Sequence, residues 1–250
     1  MHVATGRTLS TQELIDYLSA FRVVYAGETH DSVEDHKVQL EIIKGLFKKF
    51  PRKIAIGFEM LQRPSQPDVD AFINGKLSKK EFLKVWSKNW HGMYDYYEDI
   101  IGFARENNIK ILALNAEDDL RKIFRDTEIE KIDEETKKRL PEMDFEDPHY
   151  NAFIAAVFGG HGKGEGSLKY VEMFKKMQTL WDETMAETAA KYLQSPEGEG
   201  KRLIVISGGG HVQFGLESQG GFSGGFRFLM SQSNLFLLRL PRKRQTTPLK

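Results

Sequence analysis

The chain has 250 residues, of which 40% are hydrophobic, 29% charged and 11% aromatic; this suits one sizeable domain and excludes disordered, collagen-like and disulfide-stapled proteins. Basic and acidic residues number 36 each, so no overall basic field would hold the chain on nucleic acid or on an anionic membrane. Because there is no cysteine, zinc ribbons and thiol nucleophiles are also excluded, and any metal would need His, Asp, Glu or Tyr ligands.

Four short apolar runs predict the strands of a sheet. They begin at Arg22, Lys53, Lys110 and Arg202, and each is followed by a polar cluster. Their apolarity is continuous, which is typical of strands buried on both faces. Because helical patterns separate the runs, we predict an α/β fold in which helices flank a mainly parallel sheet.

The helical patterns have clear start signals. Ser10 with Glu13 and Ser78 with Glu81 have the spacing of capping boxes, in which a serine and a glutamate satisfy the first backbone amides of a helix. The stretch 167–194 reads as one long amphipathic helix. A glycine-rich loop precedes it at 159–166, and it lacks the Gly-Lys-Ser/Thr ending of a phosphate-binding loop.

Polar residues cluster just past the apolar runs, where ligands of open α/β sheets bind. They are Glu28 and His30 after the first run, Glu59 after the second, Asn115 after the third, and His211 after three glycines at the fourth. Two imidazoles and two carboxylates at one sheet edge suit a divalent metal or an acid–base pair. The alternative is that each residue caps a helix or pairs locally.

The first predicted helix after His30 adds two polar side chains. His36 and Gln39 lie three residues apart, so they share a helix face that can point back at the strand ends. We therefore predict that they support the cluster. For His36 the alternative is a solvent-facing position.

Aromatic residues are concentrated in two places. Trp86, Trp90, Tyr94, Tyr96 and Tyr97 fall within twelve residues, and Tyr150 and His161 flank the glycine loop. Such a set could form the wall of a site for a flat macrocycle and offer a tyrosine or histidine to iron. The alternative is that these aromatics belong to the hydrophobic core.

Several of these segments together resemble a known family. They are GETH with His36 and Gln39, GFEM around Glu59, the tryptophans and tyrosine of Trp86-x3-Trp90-x3-Tyr94, LNA at Asn115, WDETMA from Trp181, and GGGH at His211. Over about Gly6 to Gly215 the chain resembles the ChaN-like haem-binding uptake family of the Tiki, TraB and erythromycin-esterase superfamily.

The resemblance implies an α/β fold with a ligand site at the carboxyl edge of the strands. It also implies haem binding for bacterial iron uptake, often as a homodimer at the cell surface. Family members commonly carry a signal or lipoprotein sequence, whereas the N-terminus here lacks the apolar segment of a signal peptide. The expected location is thus the cell envelope by resemblance or the cytoplasm by the sequence as given, with a lipoprotein anchor as the expected route to a membrane.

Three functions are consistent with these residues. The first is haem binding, with an axial ligand among Tyr94, Tyr96, Tyr97, Tyr150 and His161. The second is a metal-dependent hydrolase of protease or esterase type, in which His30, His211, Glu28 and Glu59 bind a divalent metal and Glu28 or Glu59 acts as the base. The third is a structural protein without either activity. The resemblance favours haem, and the sequence by itself does not establish whether the protein is an enzyme.

The C-terminal segment departs from the family pattern. We predict an α/β domain over 1–215 and an atypical tail over 216–250. Family members typically continue with Gly-Ile-Pro-Arg-Arg, and a shifted reading frame from the third base of the Gly215 codon can encode that sequence. We hypothesise that a frameshift replaced the tail, which resequencing the locus would test. The apolar run 235–240 is a candidate edge strand.

Overall fold

The computed structural model of the chain describes residues 8–146, 165–212 and 235–239. The helices are α1 (Thr11–Leu18), α2 (Val33–Lys49), α3 (Gln66–Ile73), α4 (Lys79–Trp90), α5 (Tyr94–Glu106), α6 (Asp118–Asp126), α7 (Glu134–Lys137), α8 (Glu165–Gln194) and α9 (Gly209–Val212). The strands are β1 (Val23–Glu28), β2 (Ile54–Gln62), β3 (Lys110–Asn115), β4 (Arg202–Gly208) and β5 (Leu235–Arg239).

The strands form one parallel sheet in the order β3-β2-β4-β1-β5. The predicted α/β fold and its four main strands are confirmed. The fifth strand lies in the 216–250 segment and pairs with β1 at the sheet edge. The proposed division at residue 215 and the frameshift stay predictions.

Side chains of β1 to β4 alternate between two cores. Val24 and Ala26 of β1 face the larger core, which α1 to α5 help to form. Val23 and Tyr25 face the opposite way and pack with Met185 of α8. Because both faces of the sheet are covered, its strands have no polar face, and this explains their continuous apolarity.

The helix boundaries follow the capping signals. Ser10 with Glu13 and Ser78 with Glu81 form capping boxes at the starts of α1 and α4, as predicted. The predicted long helix at 167–194 is α8. Within the described residues, none of the helices combines the length and the apolarity needed to cross a membrane.

The strand order decides where the polar residues meet. Strand β4 lies between β2 and β1, and all three run in the same direction. Their carboxyl ends therefore open on one edge of the sheet, where α9 follows β4 and packs on β1. This edge places Glu28, Glu59 and Gly208 side by side.

Candidate functional site

The four central residues of the sequence prediction lie in one cluster at this edge. Nε2 of His211 is 3.3 Å from Oε1 of Glu59, and the amide of Gly208 donates to Oε2 of Glu59 over 2.6 Å. Nδ1 of His30 is 2.9 Å from Oε1 of Glu28. The charges of His211 and Glu59 both act on His30. The predicted clustering is confirmed, whereas the chemical roles of these residues stay predictions.

On the α2 side, Glu28 organises His30. Its side chain is fully buried and accepts hydrogen bonds at both oxygens. Tyr97 of α5 donates to Oε1, and Nε2 of Gln39 donates to Oε2 over 2.8 Å. Since these two side chains hold the carboxylate, its position is fixed, and it fixes the ring of His30 in turn.

His36 and Gln39 support this arrangement from within. His36 is 5% exposed, so the solvent-facing alternative is wrong. Its Nε2 lies 3.1 Å from the carbonyl oxygen of His30, and its Nδ1 lies 3.2 Å from Oε1 of Gln39. Gln39 also donates to the carbonyl of Ala26 in β1 over 2.9 Å. The two side chains therefore tie α2 to the end of β1.

On the α8 side, His211 lies between two carboxylates. Nδ1 of His211 pairs with Asp182 and Nε2 with Glu59. Gln178, one helical turn before Asp182, places its amide nitrogen 2.8 Å from Nδ1 of His211. The side chains of His211, Asp182 and Glu59 are 11%, 3% and 6% exposed, so these interactions are largely shielded from solvent.

Burial and mutual charges shift the pKa values of His211, Asp182 and Glu59 in different directions. Burial favours neutral His211, but Glu59 and Asp182 outweigh it and raise the pKa of His211 well above its ordinary value. Burial likewise opposes ionisation of Glu59, yet the charge of His211 lowers the pKa of Glu59 to about 2. For Asp182 burial dominates and raises the pKa to about 6. The opposite shifts of His211 and Glu59 favour a protonated imidazole beside an ionised Glu59.

Asp182 and Gln178 are site residues that the sequence reasoning missed. The sequence of α8 predicts an amphipathic helix, and its WDETMA segment contributes to the family resemblance without indicating a site residue. A signal was present, because residues 178, 182, 185 and 189 share one helix face. Met185 and Ala189 are core residues, so Asp182 and Gln178 continue a buried stripe with polar side chains. A polar residue in such a stripe needs a partner.

Asn115 does not face the cluster. Its amide nitrogen donates to the carbonyl of Glu59 over 2.9 Å, and its side-chain oxygen accepts from the amide of Ala116 over 2.8 Å. These bonds join the ends of β2 and β3. The local-pairing alternative is the one that the structure supports for this residue.

The aromatic stretch divides into core and rim. Trp86, Tyr94 and Tyr97 are at most 9% exposed and belong to the larger core. Burial raises the pKa of Tyr94 to about 12 and that of Tyr97 further. Trp90 packs edge-to-face on His30 with ring centroids 5.0 Å apart. Tyr150 and His161 lie outside the described residues.

Tyr96 lies on an open groove between α2 and α5. The groove has a volume of about 370 Å³, and its lining comprises Val33, His36, Lys37, Leu40, Asp95, Tyr96, Asp99 and Ile100. Tyr96 is partly buried, and its ring lies 5.6 Å from that of His36. The groove therefore adjoins the side of the cluster that contains His30.

The cluster consists of hydrogen-bonded acid–base pairs. Across residues 8–146, 165–212 and 235–239, no three or more His, Asp or Glu side chains are arranged to hold one metal ion. The metal-ligand role of Glu28, His30, Glu59 and His211 stays a prediction.

Gly208 is the contact point between the two halves of the cluster. A methyl group at this position would lie 2.9 Å from Nε2 of His30 and 3.6 Å from Oε2 of Glu59. We expect Gly208→Ala to displace the His30 ring and to lower the free energy of unfolding by about 1 to 3 kcal/mol, as overpacking does. Histidine side-chain NMR and urea denaturation would measure both effects.

Gly210 offers the matched control for this substitution. A methyl group there would have no heavy atom within 4 Å. We expect Gly210→Ala to leave the His30 resonances in place. Unchanged His30 resonances in the Gly208→Ala protein would contradict the predicted contact.

Comparisons with known proteins agree with this architecture. A family model described as haem-binding uptake, Tiki superfamily, ChaN matches residues 14–217. No curated protein matches the chain. Among solved structures, ChaN of Campylobacter jejuni, described as showing cofacial haem binding, is 16% identical with a TM-score of 0.65, and the match covers 85% of this chain and 80% of that one. At this identity the likeness establishes the fold.

Two bacterial toxins give weaker structural matches. The C-terminal region of Pasteurella multocida toxin is 13% identical with a TM-score of 0.45, covering 80% of this chain and 21% of the toxin chain. The RRSP effector domain of a Vibrio vulnificus MARTX toxin is 18% identical with a TM-score of 0.47, covering 84% of this chain and 32% of that one. Both matches span only a minor part of the toxin chains.

Proposed function

Because the chain belongs to the haem-binding uptake family of the Tiki superfamily, ChaN, we propose that it binds haem and takes part in haem or iron uptake. The family match over residues 14–217 carries this proposal. The chain's part in this function is to bind haem and deliver it, since haem itself supplies the iron and its coordination chemistry.

The residues present fit a haem. Haem sites combine an apolar cleft with one tyrosine or histidine that reaches the iron. The groove between α2 and α5 offers apolar Val33, Leu40 and Ile100 together with Tyr96. The imidazole of His30, 32% exposed, belongs to the adjoining cluster. The donor set thus suits haem iron.

The first test is a haem titration followed by absorbance. We expect the Soret band of haem to shift on addition of the folded protein and to saturate at a fixed stoichiometry. Single Phe substitutions of Tyr94, Tyr96, Tyr97, Tyr150 and His161 would test each ligand that the sequence suggests. A Soret band that stays at the position of free haem throughout the titration would contradict haem binding.

We also propose that the haem-bound form is a homodimer. The support is the family membership, since uptake proteins of this type are expected to pair. Sedimentation velocity with and without haem would measure the mass directly. A monomer at saturating haem would contradict the dimer and leave the proposal of haem binding intact.

A further inference from the structure

The outward face of α4 has a local excess of positive charge. Lysine accounts for five of the thirteen residues in 76–88, against one acidic residue, Glu81. All five lysines are exposed. The balance of 36 basic and 36 acidic residues over the whole chain conceals this local asymmetry. A basic face of this kind attracts an anionic partner over a distance that the salt concentration sets.

Three of these lysines form a row, here called the lysine stripe: Lys80, Lys84 and Lys88. They lie four residues apart, so they follow one another along one face of the helix over about 12 Å. Phe82 and Trp86 lie on the opposite face and are at most 1% exposed. This core contact, together with the capping box at the start of α4, holds the stripe in a fixed position.

The lysine stripe has no ion-pair partner in the part of the chain that the structure describes. The neighbouring Lys79 is paired with Glu98 of α5. Glu81 feels the charge of Lys84 without forming an ion pair with it. Its carboxylate is engaged at the start of the helix, where the amide and the hydroxyl of Ser78 donate to it over 2.9 and 2.6 Å. The positive charge of the stripe is therefore available to a partner.

The composition of this face indicates which anionic partner it fits. Centres of protein–protein interfaces are enriched in tyrosine, tryptophan and arginine and depleted in lysine. Single-stranded nucleic acid is bound on aromatic side chains, on which its bases stack. The exposed residues of α4 include no arginine and no tyrosine, tryptophan or phenylalanine. Lysines, which act as point charges, suit the headgroup layer of a membrane, because its phosphates have no fixed arrangement.

We propose that the lysine stripe of α4 is a docking surface for a membrane that contains anionic phospholipids. The attraction is electrostatic and acts between the ammonium groups and the phosphates of the lipid headgroups. The stripe includes no residue of the cluster at the strand ends and none of the groove between α2 and α5. The proposal is therefore independent of haem binding.

The experiment is co-sedimentation of the full chain with vesicles of equal parts phosphatidylglycerol and phosphatidylcholine at low ionic strength. We expect binding to these vesicles, little binding to vesicles of phosphatidylcholine alone, and release as salt is added. The triple variant Lys80→Gln, Lys84→Gln, Lys88→Gln should bind on the order of 100-fold more weakly, because each lysine near an anionic membrane contributes about fivefold. Far-UV circular dichroism would establish that the variant is folded.

A second triple variant is the matched control: Lys131→Gln, Lys137→Gln, Lys138→Gln. The Nζ of each of these lysines lies at most 2.8 Å from a carboxylate oxygen of the glutamate three residues earlier, so its charge is already offset. Both triple variants remove the same net charge, and we expect the control to lose less than about fivefold in affinity.

Three results would overturn the proposal. Equal losses in the two triple variants would show that net charge, and not the lysine stripe, controls binding. Failure of the wild type to bind the anionic vesicles at low ionic strength would contradict membrane docking outright. Binding of the wild type to poly-glutamate but not to the vesicles would identify an acidic protein as the partner instead.

Discussion

Replacing His211 by alanine should lower the free energy of unfolding by about 3 to 5 kcal/mol, because removing one partner of a buried ion pair leaves uncompensated charge. Asp182 and Glu59, which flank His211, are 3% and 6% exposed at their side chains. Without the imidazolium, these carboxylates must either stay charged in a buried, low-dielectric environment or take up protons. Urea denaturation followed by circular dichroism at neutral pH would measure the loss.

His91→Ala is the matched control for His211→Ala. His91 is exposed at the C-terminal end of α4, in the left-handed region that histidine and alanine both adopt with strain, so its replacement should change the free energy of unfolding by less than about 1 kcal/mol. A loss of less than about 1 kcal/mol in His211→Ala would contradict the buried ion pair.

The stability that His211 contributes should depend on pH in a defined direction. Its pKa is raised above the ordinary value of 6.5, so its contribution is complete below that pH and is lost as the pH rises through the raised pKa. Glu59 behaves oppositely, because its pKa is lowered from 4.5 to about 2. Its contribution is lost as the pH falls through that range. The difference in the free energy of unfolding between wild type and His211→Ala should therefore be largest between pH 4.5 and pH 6.5, the ordinary pKa values of Glu59 and His211.

Replacing Trp86 by alanine should also cost about 3 to 5 kcal/mol of the free energy of unfolding, because it leaves a large cavity in the core. Trp86 is 1% exposed, and its ring contacts those of Tyr94 and Tyr97 at 5.5 and 5.1 Å between centroids. Its indole N–H also donates to the carbonyl of Gly92 over 2.6 Å. The same urea experiment would measure the effect.

The control for Trp86→Ala lies on the same helix. Lys88 is exposed, so Lys88→Ala should change the free energy of unfolding by no more than about 0.5 kcal/mol. Equal midpoints for the two variants would show that the ring of Trp86 is not part of a packed core.

The sequence by itself determined the strands, the capped helices and the grouping of polar residues at one sheet edge. These features depend on local patterns. Continuous apolar runs are required by a sheet covered on both faces, and a capping box needs only residues three apart. Parallel strands then bring their carboxyl ends to one edge, so Glu28, His30, Glu59 and His211 could be predicted to meet there.

Only the tertiary structure decided which partner each of these residues has. His36 and Tyr97 are buried against Glu28, although the composition of their helices allowed solvent or a ligand. Asp182 lies on α8, 29 residues before His211 in the chain, and pairs with it. Such pairs depend on the angle at which a helix crosses the sheet and on the direction of each side chain. Long-range packing sets both, and no local pattern encodes them.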